Sequence, residues 1–383
     1  MTKLFSFFLL FILINCNKDV NDDTIIGTFE TTYGYLQVPK GFEIEVFAEG
    51  VAGARQMAMS PNGIIYVGTR RTGKNGNVYA LIDEDNDFKI DTVKVIASGL
   101  RMPNGVAFQN NDLYVSEVSN IWKFEDIDNN LDSQIQPQLI YNSFPSESSH
   151  GWKYIAFGPD EKLYVPVGAP CNVCNHEDDN PIYATLTRMQ PDGSDLEIIA
   201  HGIRNTVGFD WHPETGNLWF TDNGRDWLGD DIPHCELNEI TVEGSHYGFP
   251  YLHGNDIWDP EFGSNDEIKE RDFVLPKQEL DPHVAPLDIL FYTGNMFPKQ
   301  YKNQAFIAEH GSWNRSEKIG YRISLVTFDD YGDATSYQPF VTGWLQNEDD
   351  IRGRPVAFLQ LTDGSILISD DHTGTIYRLT YSG

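Results

Sequence analysis

Six times along the chain, a turn rich in Pro, Asn, Asp or Gly leads into a short apolar strand and then into polar residues. Pro61-Asn62-Gly63 precedes Ile65-Tyr66-Val67, and Asn111-Asp112 precedes Leu113-Tyr114-Val115. Pro159-Asp160 precedes Leu163-Tyr164-Val165, and Pro213-Glu214-Thr215-Gly216 precedes Leu218-Trp219-Phe220. A weaker copy holds Ala305-Phe306-Ile307, and in the last Asp363-Gly364 precedes Ile366-Leu367-Ile368. Short apolar runs bounded by turn formers read as buried strands. Their central residues, Tyr66, Tyr114, Tyr164, Trp219, Phe306 and Leu367, are separated by steps of 48, 50, 55, 87 and 61 residues. A step of roughly 50 residues fits one four-stranded propeller blade. Six copies therefore predict an all-β, six-bladed β-propeller with an insertion before the fifth repeated strand. The insertion is placed at Tyr251 to Leu280, an acidic stretch containing Pro and Gly with no strand pattern. Strands Phe42-Glu43-Ile44-Glu45-Val46-Phe47 and Thr375-Ile376-Tyr377-Arg378-Leu379 stand at the two ends, where they can close the ring. A β-sandwich uses only about seven to nine strands.

Composition narrows the function classes. Lys and Arg total 27 against 57 Asp and Glu, a formal charge of −30 over 383 residues. Such a chain repels a phosphate backbone, and no basic stripe offsets that, so nucleic acid is excluded as a partner. With 40% hydrophobic residues, 33 Gly and 20 Pro, it is too apolar for acidic disorder and too rich in turn formers for a helical bundle. At the N-terminus, Lys3 and the apolar run Leu4 to Ile14 read as an export signal, too short to span a bilayer. Leu13-Ile14-Asn15-Cys16 resembles a lipoprotein cleavage box. Residues 1–15 are thus expected to be a signal peptide, Cys16 the lipidated first mature residue, 16–37 a polar tether, and 38–383 the propeller. Membrane contact is then expected through the lipid alone. In an exported chain Cys171-Asn172-Val173-Cys174 reads as a local disulfide, with Cys235 a competing partner. There is no second CxxC, and His176 alone does not complete a zinc cage.

In a ring of blades, the polar residues past each repeated strand collect at one mouth: Arg70, Glu117, Asp222, Asn223, His310 and Asp370. Three further groups can do chemistry there. His150, just ahead of Tyr154-Ile155-Ala156-Phe157, can take a proton near neutral pH. Arg204-Asn205 offers a planar fork beside an amide, and Arg352-Gly353-Arg354 places two guanidiniums one residue apart, which in so acidic a chain points to an anionic ligand unless Asp349-Asp350 neutralise them. Thr221-Asp222-Asn223-Gly224-Arg225-Asp226 is oxygen-rich in the manner of Ca²⁺ loops without EF-hand spacing. No Gly-rich phosphate loop, nucleophile elbow or HExxH motif occurs.

Eleven stretches in order carry a resemblance. They are Ala54-Arg55-Gln56-Met57-Ala58; Met102-Pro103-Asn104-Gly105-Val106-Ala107-Phe108; Ser149-His150-Gly151; Pro166-Val167-Gly168-Ala169-Pro170-Cys171-Asn172-Val173-Cys174; Gly202-Ile203-Arg204-Asn205; Phe220-Thr221-Asp222-Asn223-Gly224-Arg225-Asp226; Glu236-Leu237-Asn238-Glu239; Tyr247-Gly248-Phe249-Pro250; His283-Val284-Ala285-Pro286-Leu287; Glu309-His310-Gly311-Ser312-Trp313-Asn314-Arg315; and Arg352-Gly353-Arg354-Pro355. From about Val38 to Tyr381 the chain resembles the soluble quinoprotein sugar dehydrogenases, and specifically their sorbosone and pyranose dehydrogenase branch. That resemblance implies pyrroloquinoline quinone (PQQ) and Ca²⁺ as cofactors and His150 as the base that removes the substrate hydroxyl proton. It implies cofactor contacts at Arg204, Asn205, Arg352 and Arg354, and carries over Arg55, Asn104, His283, His310 and Trp313. Gly224 and Arg225 fall where backbone carbonyls hold the ion. In the glucose-oxidising branch a carboxylate orients the base, whereas Gly168-Ala169 stands at that place here. A lysine of that branch is matched by Arg315, with Lys318 as the alternative.

The expectation is a PQQ- and Ca²⁺-dependent dehydrogenase of a sugar or sugar-derived aldehyde. Electrons would pass to an external acceptor, a quinone or cytochrome, because Cys174 is followed by Asn175 and no haem-attachment CxxCH exists. The rivals are a Ca²⁺-dependent lactonase-type propeller and a non-catalytic propeller that binds glycans or proteins.

Overall fold

The computed structural model describes residue 26, residues 28–133 and residues 136–383. Its sheets form a six-bladed β-propeller. The first blade consists of Ala54–Met59, Ile65–Thr69, Val78–Ile82 and Thr92–Ala97, and the second of Gly105–Gln109, Asp112–Ser116, Ile121–Phe124 and Gln138–Tyr141. Ala156–Phe157, Leu163–Val167, Thr185–Met189 and Glu197–His201 make the third. Phe209–Trp211, Leu218–Asp222, Cys235–Ile240 and Gln278–Leu280 make the fourth. The fifth holds Pro286–Phe291, Ala305–Glu309, Arg322–Phe328 and Ala334–Val341. The sixth closes the ring. Pro355–Gln360, Ile366–Asp370 and Thr375–Tyr381 come from the end of the chain, and Phe42–Ala48 pairs antiparallel with the last of them, Leu379 opposite Ile44.

Each repeated apolar strand is the second of its blade. Ile65–Thr69, Leu163–Val167, Leu218–Asp222, Ala305–Glu309 and Ile366–Asp370 are buried at every position. A strand covered on both faces by neighbouring blades reads as a continuous apolar run, not as an alternation. In the outer strand Thr92–Ala97 exposure alternates instead, with Val93 and Val95 on the wet face.

First strands of neighbouring blades meet around the axis, and buried polar side chains tie them together. Gln56 Oε1 accepts from the backbone N–H groups of Val106 and Ile155 at 3.1 and 3.0 Å, joining three blades. Asp288 Oδ2 accepts from Phe358 N at 2.8 Å, and Asp210 Oδ2 from Phe291 N at 2.8 Å. Burial pushes the Asp210 carboxyl up to about 7.

Two expectations need correction. The tether does not run to residue 37: Phe29–Tyr33 and Leu36–Pro39 form a hairpin, Leu36 and Val38 are fully buried, and Gln37 bonds to Thr342. Burying those two apolar side chains in a core of Phe340, Trp344 and Phe42 gives a short segment the energy to order. The insertion also carries strands. Its end, Gln278–Leu280, is the outer strand of the fourth blade, and Leu252–His253 pairs with Ile257–Trp258. Just before it, Ser245–His246 pairs in parallel with the edge of the third blade. Strands of two or three residues carry no periodicity of their own; their partners set them. The expected signal peptide and Cys16 lie outside the described residues, among which no helix is long and apolar enough to cross a membrane.

Candidate active site

A cavity of about 480 Å³ opens at one mouth of the ring, walled by turns that enter first strands and leave second strands. Carboxylates at the ends of second strands hold those turns. Asp222 Oδ2 and Oδ1 accept from the backbone N–H groups of Arg204 and Asn205 at 2.8 and 2.6 Å. Asp370 Oδ1 accepts from Arg354 N at 3.0 Å, and Glu117 Oε1 from Arg101 N at 2.5 Å. A charged acceptor on a backbone donor is a strong tie. The six polar residues expected at the mouth therefore divide: Arg70, Asn223 and His310 line the cavity, while Glu117, Asp222 and Asp370 shape it from behind.

His150 lines the cavity with its backbone in the left-handed region, φ 49°. Its Nδ1 lies 2.7 Å from the carbonyl oxygen of Ala169. A carbonyl can only accept, so Nδ1 carries the proton and Nε2 is left as the basic nitrogen. Gly168 permits this approach: a Cβ there would stand 2.6 Å from His150 Cβ and 2.9 Å from its carbonyl oxygen. Burial, reinforced by the nearby Arg204 charge, pushes the imidazole down to about 3. His150 is thus a neutral base at physiological pH.

The cations are arranged in two ways. Asp371 takes two of them, Arg55 Nη2 at 2.7 Å and Arg70 Nη1 at 3.3 Å, and accepts from Nε2 of the His310 imidazole at 2.9 Å, a ring whose pKa burial lowers. Burial would raise the Asp371 carboxyl, but His310 and the two arginines outweigh it and hold it well below the usual carboxylate range. Arg354 has no carboxylate within ion-pair reach among the described residues. Its guanidinium donates to His310 Nδ1 (3.3 Å), the Gly311 carbonyl (3.3 Å) and the Tyr321 hydroxyl (3.0 Å), and lies 4.7 Å from the Tyr321 ring centroid. Asn205 Oδ1 and Arg55 Nε are buried with no partner among the described residues. Buried polar atoms normally find partners, so this wall suits a ligand that brings acceptors and a donor.

At the rim, Trp227 and Trp313 are each 68% exposed, their rings edge to face at 6.5 Å. Their loops are clasped by Arg315, which donates to the Asp230 carbonyl and to Asp231 Oδ1, the latter at 3.0 Å. Ser316 N adds a bond to Asp230 Oδ1 at 3.0 Å.

A family model described as a domain of unknown function, DUF7133, matches residues 28–377. The chain belongs to this family. An uncharacterized protein of Borreliella burgdorferi is 36% identical over 358 residues, covering 90% of this chain and 91% of its own length. The PQQ-dependent sugar dehydrogenase of Hypocrea jecorina is 27% identical over 227 residues, about half of each chain (48% and 49%). Among solved structures, the calcium structure of a Trichoderma reesei enzyme of carbohydrate-active family AA12 superposes with a TM-score of 0.77 at 21% identity, covering 92% of this chain and 98% of that one. The holo pyranose dehydrogenase PQQ domain from Coprinopsis cinerea gives 0.75 at 18%, covering 91% and 98%. This DUF7133 chain is thus similar to proteins named as a PQQ-dependent sugar dehydrogenase and as the PQQ domain of a pyranose dehydrogenase.

In this DUF7133 member His150, Arg204, Asn205, Arg354, His310, Trp313, His283, Arg55 and Gly224 line the cavity. Five candidates, counting the alternative Lys318, do not. The Arg352 side chain is 54% exposed and bonds to Asp350 at 2.7 Å. Arg315 is the loop clasp, and Lys318 pairs with Asp349 instead. Asn104 is buried, its carbonyl oxygen packed where a Cβ on Gly68 would stand at 2.3 Å. The Arg225 guanidinium turns to Asp259. His283 donates from Nε2 to the Gly229 carbonyl at 2.9 Å, and Asp226 beside it raises its pKa. The disulfide joins Cys171 to Cys174, leaving Cys235 as a buried free thiol on the cavity wall. Asp226 of the oxygen-rich loop also lines the cavity, as do Asn172, Trp227 and Trp152, and Asp371 stands behind it, these last four not proposed as site residues from the sequence. Trp152 and Asp371 each lie within two residues of a candidate, which is the signal available for them.

Proposed function

We propose that this chain is a PQQ-dependent oxidoreductase that oxidises a sugar or sugar-derived aldehyde and delivers the electrons to an external acceptor, a quinone or cytochrome. The observation that carries the reading is a neutral imidazole, His150, sharing a cavity with Arg354, which pairs with no carboxylate among the described residues. PQQ is a flat tricarboxylate with an ortho-quinone, so it needs cations, neutral donors and acceptors at its edge. Arg354, Arg55, Arg204 and Asn205 supply that set, and the partnerless Asn205 Oδ1 and Arg55 Nε fit it. When bound, the cofactor supplies the two-electron, hydride-accepting chemistry. His150 Nε2 takes the proton of the substrate hydroxyl, while the Ala169 carbonyl keeps the ring in the tautomer that can do so. Asp371 holds Arg55, Arg70 and His310 in one wall, so their positions are fixed before a ligand arrives. The exposed Trp227 and Trp313 offer apolar faces to a sugar ring at the rim. Ca²⁺ is proposed at the backbone carbonyls of Gly224 and Arg225, the first of which lines the cavity.

The test is titration of purified apo-protein with PQQ, with and without Ca²⁺, followed by dye reduction on a panel of sugars and aldehydes. Stoichiometric binding and substrate-dependent dye reduction are expected. Absence of binding under both conditions overturns the reading and makes lactone hydrolysis the next assay. We also propose export and anchoring through a lipid on Cys16, expected to appear as acyl labelling that a Cys16→Ser variant loses.

A further inference from the structure

Asn172 sits inside the ring closed by the Cys171–Cys174 disulfide and reaches two other loops. Its carbonyl oxygen accepts from Arg204 Nε at 2.8 Å, and its side-chain Oδ1 accepts from Arg204 Nη2 at 3.0 Å. The same Oδ1 accepts from Asp226 N at 2.8 Å, while Nδ2 donates to the Asp226 carbonyl at 3.1 Å. One amide thus bridges its own loop, the loop ahead of the fourth blade's first strand, and the loop after its second strand. Arg204 gains its remaining bond from the Asn223 carbonyl at 3.0 Å, with Asp226 Oδ2 at 3.5 Å. On the far side the loop borders a second cavity of about 300 Å³ and is anchored there by Asn175, which donates to the Tyr251 hydroxyl at 2.8 Å. Closing so short a ring removes conformations that would let Asn172 swing away.

We propose that Asn172, held by the Cys171–Cys174 disulfide, is a positioning residue that fixes the Arg204 guanidinium beside His150. The catalytic meaning of this clamp rests on the function proposed above; the clamp itself does not. The charged groups that bear on His150 are Arg204, which disfavours its protonation, and Asp226, which favours it, while the Ala169 carbonyl holds Nδ1. A displaced Arg204 therefore lets His150 protonate at higher pH.

The experiment follows the His150 imidazole by NMR titration in the apo-protein, so its readout does not depend on any cofactor. Asn172→Ala removes the side-chain half of the clamp and keeps the backbone carbonyl. Cys171→Ser/Cys174→Ser keeps Asn172 and frees the ring. Both are expected to raise the His150 midpoint by about one pH unit, the scale of a lost like-charge neighbour, with melting temperatures close to wild type. In an Arg204→Ala background Asn172→Ala is expected to add no further shift, because the effect runs through Arg204. An unchanged midpoint in both variants, full additivity with Arg204→Ala, or unfolding of both in place of a shift overturns the proposal. PQQ titration of the wild type in parallel separates failure of the clamp from failure of the dehydrogenase reading.

Discussion

Gly168→Ala tests how the base is held. A Cβ at this position would lie 2.6 Å from His150 Cβ, and ordinary contact begins at 3.4 Å, so the His150 segment must retreat by about 0.8 Å. No rotamer change relieves this, because the opposing atoms are the His150 Cβ and its carbonyl oxygen. The same retreat stretches the 2.7 Å bond from Nδ1 to the Ala169 carbonyl towards about 3.5 Å, beyond hydrogen-bond range. Overpacking of this kind costs about 1–3 kcal/mol of stability. A base displaced by close to 1 Å loses roughly 10²-fold in rate. The assay pairs thermal melting of the apo-protein with kcat for dye reduction after PQQ loading. The expected result is a lowered melting temperature, PQQ affinity near wild type and kcat down by about two orders of magnitude. Wild-type kcat together with wild-type melting would refute the argument that the Ala169 carbonyl orients His150.

Four further outcomes follow from the site. Arg354→Ala removes an unbalanced charge facing the cavity and should weaken PQQ binding by about 10–100-fold, the scale of a charge-assisted bond; Arg352→Ala, whose partner is the solvent-facing Asp350, should leave the titration unchanged. Asp371→Asn leaves the buried Arg55 without its counter-charge and should cost about 3–5 kcal/mol in chemical denaturation; a loss below about 1 kcal/mol would contradict the hub assignment. His150 has its folded pKa, about 3, below its unfolded value, so between pH 6.5 and 3 the unfolded chain binds the extra proton and stability falls as the pH falls. A His150→Gln variant should lose less stability than wild type from pH 7 to pH 4, and parallel denaturation curves at both pH values would reject the buried neutral imidazole. Arg315→Ala should loosen the tryptophan-bearing loops and raise KM for the sugar with PQQ affinity intact, whereas equal loss of both would return Arg315 to the cofactor site.

Blade number was legible in the chain because a strand covered on both sides carries a continuous apolar run, and Ile65-Tyr66-Val67 and Ile366-Leu367-Ile368 show this without any partner in view. The same holds for the mouth as a polar place and for Arg204 and Arg354 as cations in so acidic a protein, while His150 was marked by its place in the family resemblance. Tertiary structure alone separated Arg354 from Arg352. Gly353 packs against Trp344 and Asp370, where a Cβ would meet side-chain atoms at 2.2 Å, and the two guanidiniums on either side of it diverge. One turns to Tyr321 and the other to solvent and Asp350. The partner of His150 is a backbone carbonyl, which every residue possesses, so no letter in the sequence marks it. Asp371 gathers the guanidiniums of positions 55 and 70 and the imidazole of position 310, and only closure of the ring brings those positions within 3.3 Å of one carboxylate. A sequence records which side chains must be buried because burial is a property of each residue type; it does not record which distant groups share a charge, because that depends on where the ring returns the chain.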